Sequence, residues 1–171
     1  TYNNAGQIIS EMKKLDNGIC ITTETKYPFD LRSNGGWQNT YDHMFDNGFR
    51  NYPVKTQISL SNKGIIAATL NNYTNIGADK AYYRLSEIKN AEIDSPLPLG
   101  TDLSAYLQTE KNIAYDNSGN IREIRHKDFS TTTYIWAYGN MQPVFKIENG
   151  TYNMALSSLS NREKSMLNYL I

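Results

Sequence analysis

Apolar and polar residues alternate along much of this chain, and short Asn-, Asp- and Gly-containing breaks cut the alternation into segments. A period of two puts successive side chains on opposite faces of an extended strand, so the pattern predicts strands joined by tight turns. Gln7 to Lys14 is one such run; it stops at Asp16-Asn17-Gly18, and Ile19 to Tyr27 returns. Asn-Gly between two strand-like runs is the strongest short-range hairpin signal. Lys55 to Leu60 and Ile65 to Asn72 predict a middle hairpin, and Tyr82 to Ile88 a further strand. Tyr115-Asp116-Asn117-Ser118-Gly119-Asn120-Ile121 then turns toward Thr131 to Tyr138, and Gln142 to Glu148 alternates up to Asn149-Gly150.

Helical spacing is confined to short stretches. Tyr41, Met44 and Phe45 fall at i, i+3 and i+4 between Asn39 and Asn47, with Gly48 as a stop. Asp102 to Lys111 is read as a helical turn or two. Ser160-Asn161-Arg162-Glu163 has the spacing of a capping box, ahead of a stripe of Met166, Leu167 and Leu170. Pro28 ends regular pairing or sits at an edge, Ser33-Asn34-Gly35-Gly36-Trp37 is a loop, and Ser95-Pro96-Leu97-Pro98-Leu99-Gly100 reads as an extended surface connection. The expected class is all-β or β-dominated: successive antiparallel hairpins in an extended twisted sheet, with one or two short helices. Residues 1–152 are expected to form the β domain and 153–171 a short helical segment.

One pattern recurs. A large apolar residue stands four positions before a glycine, with isoleucine just after it, in Tyr2–Ile8, Leu60–Ile66 and Tyr115–Ile121. The expectation is three divergent hairpins with Gly6, Gly64 and Gly119 at chain reversals, where a positive φ costs glycine little.

Composition narrows function more than fold. Lys plus Arg and Asp plus Glu both number 17, giving zero net charge. Nucleic acid is therefore not an expected partner, because grip on a phosphate backbone needs a basic field. No apolar run approaches the ~20 residues that cross a bilayer, so membrane insertion is not expected. The single Cys20, flanked by Ile19 and Ile21, suits burial in a strand rather than reactivity.

Chemistry finds little to stand on. His43 beside Asp42 lacks a nucleophile in a strained elbow, and His126 sits in the charged run Arg125-His126-Lys127-Asp128 at a strand end. Asp30, Asp42, Asp46, Asp94, Asp102, Asp116, Glu123 and Glu148 are scattered, and a hydrolase would require two of them across a cleft. Asp116 is read instead as bonding the backbone amides of its own turn. The expectation is no catalytic residues, no cofactor and no metal. The 13 tyrosines and two tryptophans carry two readings. Tyr134, Trp136 and Tyr138, alternating on one face, suit cross-strand packing, while exposed aromatics would suit a carbohydrate-binding module.

Tyr115-Asp116, the Ser118-Gly119-Asn120 turn, Ile121 and the Thr-rich strand ending in Tyr134-Ile135-Trp136-Ala137-Tyr138 together resemble the motif of the YD-repeat (rearrangement hotspot, RHS) family. Tyr27-Pro28-Phe29-Asp30, Met44 and Asn51-Tyr52-Pro53-Val54-Lys55 are similar to a spacer in long YD-repeat proteins of Gram-negative bacteria. The resemblance covers most of residues 1–30, 41–60 and 115–152; residues 72–112 have no counterpart. It implies a non-enzymatic scaffold, part of a secreted or cell-surface, outer-membrane-associated protein. Such repeats wrap into β-shells around a cargo or present adhesive surfaces. The first residue is Thr1 and the opening motif is under way at Tyr2, so the expectation is a segment of a longer array. Its partners would be neighbouring repeats of the parent chain, or another copy paired edge to edge.

Overall fold

The computed structural model describes residues 1–33, 39–61, 63–76 and 82–170, with side chains through residue 165. Nine antiparallel strands form one open sheet: β1 (Ser10–Lys14), β2 (Cys20–Lys26), β3 (Lys55–Leu60), β4 (Gly64–Ile76), β5 (Tyr82–Ala91), β6 (Leu107–Tyr115), β7 (Ile121–His126), β8 (Thr131–Ala137) and β9 (Gln142–Glu148). Their order in the sheet is their order in the sequence. Among the described residues three short helices accompany them: α1 (Thr40–Asp46), α2 (Tyr152–Ser158) and α3 (Asn161–Leu170), besides a 3-10 turn at Pro28–Leu31. The β-dominated class read from the alternation is thus the observed one. The chain divides into two compact units, one of Thr1–Tyr73 with Ile88–Gln108 and one of Thr74–Glu87 with Thr109–Ile171.

In the first unit the Asn17-Gly18 hairpin forms where the sequence places it, pairing Lys14 with Cys20 and Ser10 with Glu24 in an unbroken register. β2 ends before Pro28, as expected of a residue without an N–H. The helix expected around Tyr41 is α1. The Asn39 side chain caps it, accepting from the N–H groups of Tyr41 at 2.8 Å and Asp42 at 3.0 Å. The loop read from Ser33 to Trp37 lies, from Asn34 on, outside the described residues.

The core of this unit is Ile65, Ala68 and Leu103, with Ala91, Ile93, Leu97 and Tyr106 packed around them. Ile65 and Leu103 are almost wholly buried, each stabilising by about 2 kcal/mol. Much of the cover comes from residues 92–106, the stretch least legible in sequence. Leu97 exchanges backbone hydrogen bonds with Ile65 at 2.7 and 2.9 Å, so the proline-rich connection is pinned across the sheet at that point. Gly64 makes this crossing possible: its φ is +101°, and a Cβ there would stand 2.0 Å from the Leu97 carbonyl oxygen.

The helical turn expected over Asp102 to Lys111 is not formed. Residues 104–106 make a turn, the Asp102 carboxylate accepts from Ser104 N–H at 3.0 Å, and from Leu107 the chain is strand β6. Local helical propensity gave way to the sheet, where β6 lies between β5 and β7 and is laddered to β7 from Lys111↔His126 to Tyr115↔Ile121.

In the second unit β8 lies between β7 and β9, and Thr131, Thr132, Thr133, Ile135 and Ala137 are buried. Ile135 meets Ala155 of α2, and Val144, Ile147, Tyr152, Leu156 and Leu159 complete this core. Thr151 caps α2 by accepting from Met154 N–H at 3.3 Å, and Glu123 on β7 accepts from Tyr152 N–H at 3.0 Å. The capping box read at Ser160 is present. Glu163 accepts from Ser160 N–H at 2.7 Å, and Glu163 N–H donates to Ser160 Oγ at 3.3 Å. The stripe of Met166, Leu167 and Leu170 lies beyond the described side chains.

Candidate binding surface

Turn chemistry shapes the candidate surfaces. In the Tyr115–Ile121 motif, Asp116 N–H donates to Asn120 O at 2.9 Å and Gly119 N–H to Asp116 O at 3.1 Å. Asp116 Oδ1 accepts from the N–H groups of Ser118 and Asn120, both at 2.9 Å, which is the role read for it from the sequence. Gly119 holds φ +86° at this reversal. The opening motif repeats the frame: Asn3 Oδ1 accepts from Ala5 and Gln7 N–H, both at 3.0 Å, and Gly6 has φ +77°. In each case the last turn residue donates its side-chain amide outward. Asn120 reaches Asn140 O at 2.7 Å, and Gln7 reaches Arg50 O at 2.5 Å and Asn51 Oδ1 at 3.1 Å. Asn3 also donates to Asp30 at 3.0 Å, and Asp30 accepts from Tyr27 N–H at 2.9 Å. The Tyr27-to-Asp30 and Asn51 stretches, read as one spacer, are thereby tied to the first turn.

Beside the Asp116 turn the second unit holds an open trough of about 780 Å³. Its lining includes Thr74, Ser86, Tyr115, Asp116 and Asn117. An adjoining hollow of about 190 Å³ shares Ile76 and Asn117 and adds Tyr82 and Arg84. Tyr82, Arg84 and Ser86 follow one another at alternate positions of β5, which puts them on one face of the strand. The wall is held by its own hydrogen bonds. Tyr115 Oη donates to Leu85 O at 2.7 Å, and burial raises the Tyr115 phenol above its usual range. A Cβ on Gly119 would sit 3.8 Å from Ile76 Cγ2, showing how near the turn lies to the end of β4.

The other sequence candidates are dispersed. Asp42 is wholly buried and closes a loop: it accepts from Ser33 Oγ at 2.6 Å and Asn39 N–H at 3.2 Å, with Arg32 Nε at 3.6 Å. His126 ends β7, its N–H donating to Ser130 O at 2.9 Å. Cys20 is half-buried rather than enclosed, because β2 lies next to the outer strand β1. Of the three aromatics read as alternating on one face, Tyr134 and Trp136 lie in β8 and are half-buried. Trp136 Nε1 donates to Ile121 O at 2.7 Å. Tyr138 has left the strand: the Ala137–Met141 reversal holds it at φ +55°, half exposed. Among the described residues no three His, Cys, Asp or Glu side chains converge to hold a metal ion, and no helix is long and apolar enough to cross a membrane.

Sequence reasoning missed two features. Phe129 occupies the positive-φ slot, at +65°, in a reversal closed by His126 N–H to Ser130 O and Phe129 N–H to His126 O. It is 87% exposed. Asp128-Phe129-Ser130 holds no glycine to mark the turn; its signal was the Asp, which accepts from Ser130 N–H at 2.9 Å and Oγ at 2.6 Å. The second feature is the outer side of β1. Thr1 and Tyr2 lie along it, with Thr1 N donating to Ser10 O at 2.6 Å, Ile9 N–H to Thr1 O at 2.9 Å, and Tyr2 bridging Ile8. Ser10 thus turns its backbone outward, and the alternation of the ladder turns Met12 and Lys14 the same way.

Comparison with protein-family profiles, curated proteins and solved structures finds no match for this chain.

Proposed function

We propose that this chain is a non-enzymatic structural scaffold, a segment of a secreted or cell-surface protein of the YD-repeat kind, that hands its sheet on to neighbouring hairpins at β1. The strand order carries this reading. A sheet in which the spatial order follows the sequence grows by adding a hairpin at an outer strand, with no rearrangement of those already paired. β1 suits such growth: it pairs with β2 without a register shift, contains no proline, and presents outward the backbone groups of Met12 and Lys14. Glu11, Lys13 and Lys14 line it with charge, which favours a chosen partner strand over indiscriminate aggregation. The test is a short Thr/Val strand fused ahead of Thr1. It is expected to raise Tm by several degrees through new ladder bonds, and the gain is expected to vanish in Met12→Pro, which removes an outward donor. A fusion that leaves Tm unchanged, or a gain indifferent to Met12→Pro, contradicts the reading.

A further inference from the structure

We propose that the trough of the second unit is a binding site for a neutral oligosaccharide. The inference does not rest on the scaffold reading, because its residues lie apart from β1. Its ground is the chemistry of the lining. Thr74 and Ser86 bring hydroxyl groups and Asn75 and Asn117 bring amides, while Ile76, Ile113 and Ala114 supply modest apolar patches. Vicinal sugar hydroxyls are recognised by planar groups that can pair with two hydroxyls at once, and Asn117 and Arg84 are of that kind. The apolar face of a sugar ring is recognised by an aromatic, and Tyr82 stands 59% exposed in the wall of the adjoining hollow.

The same lining disfavours other ligands. Arg84 is the one cation in the described lining of the two hollows, and Asp116 faces the larger, so a phosphate-bearing or polyanionic ligand would meet a carboxylate with little positive charge to offset it. The apolar residues are too few and too interspersed for an acyl chain. At about 780 Å³ the trough is within the ~300–1,000 Å³ range of small-ligand sites. Its far wall is already fixed by the Asp116 turn, by Tyr115 to Leu85, and by Asn120 to Asn140, so binding orders little of the protein. This places the saccharide in the second unit at Tyr82, rather than on the Tyr134–Trp136 face, where Trp136 Nε1 is committed to Ile121.

The experiment is a glycan array with the whole chain, bearing neutral, sialylated and sulfated oligosaccharides, followed by calorimetry with the strongest neutral binder. Binding of a neutral glycan is expected, weakened at least about tenfold in both Tyr82→Ala and Asn117→Ala and unchanged in Tyr138→Ala. Circular dichroism and Tm of the three variants are expected to match the parent, since all three positions are exposed. No neutral glycan bound, binding of charged glycans alone, or full affinity in Tyr82→Ala and Asn117→Ala would each overturn the proposal. Any of these would leave the β1 fusion result untouched.

Discussion

The two outer strands of the sheet are built to opposite ends. β1 is short and charged, free of proline and of register shifts in its pairing with β2, and Thr1 already lies against its outer side. β9 carries Pro143, and its pairing with β8 shifts register at Ile135/Trp136. Beyond β9 the chain turns through Asn149, at φ +58°, into α2, which packs back on Ile135. A proline and a bulge both interrupt an outer ladder, so β9 is blunted where β1 is not. Local devices thus interrupt the ladder at β9 and spare it at β1, with the same turn chemistry in between.

The largest expected effect breaks the first unit, to which β1 belongs. Gly64→Ala sets a Cβ against the Leu97 carbonyl, so the Ile65–Leu97 hydrogen bonds and the packing of Leu97 are lost together, at a cost of roughly 3 kcal/mol or more. Chemical denaturation measures it; a loss below about 1 kcal/mol would show that the crossing at Leu97 is not what holds this core. Next in size, Ala155→Asp puts a charge between α2 and Ile135 and is expected to cost about 2–3 kcal/mol, freeing the face beside β9. Proteolysis of the α2 segment should quicken in step, and α2 equally protected in the variant would separate the helix from the blunting of β9.

Two turns sharpen the comparison at smaller cost. Gly119→Ala forces a side chain into a left-handed slot and is expected to destabilise by roughly 1–2 kcal/mol. Phe129→Gly relieves the same conformation and is expected to stabilise by about 1 kcal/mol, read as a rise in Tm. Equal and same-signed effects would refute the shared frame.

The smallest effect is a titration in the first unit. Burial, and then the neighbouring Tyr52 phenol, push the Tyr73 phenol up to about 12 from 10.0. A raised pKa means the folded state holds the proton longer. Stability from this source is full below pH 10.0 and is lost as pH rises toward about 12. Tyr73→Phe is expected to flatten that alkaline decline, and an unaltered decline would assign it elsewhere.

How legible these features were depended on whether their cause was local. Asn17-Gly18, the Asp116 turn and the Ser160–Glu163 box are each decided by side chains bonding backbone within four residues, and each was readable. The start of β6 was misread because its strand state is set by its place in the sheet between β5 and β7, not by its own residues. The cover by residues 92–106 was invisible for the same reason: Leu97 and Leu103 meet Ile65 only once the chain has returned across the sheet. The trough joins the end of β4, the face of β5 and the turn after β6, and no spacing in the sequence announces that meeting.

Residue-resolved hydrogen exchange on the chain with a Thr/Val strand fused ahead of Thr1 decides whether β1 takes on a further strand. The Met12 and Lys14 amides are expected to slow by at least about tenfold while the amides of β9 keep the rates of the parent chain. Met12 and Lys14 exchanging as fast as before, or β9 slowing in their place, would contradict the proposed growth at β1.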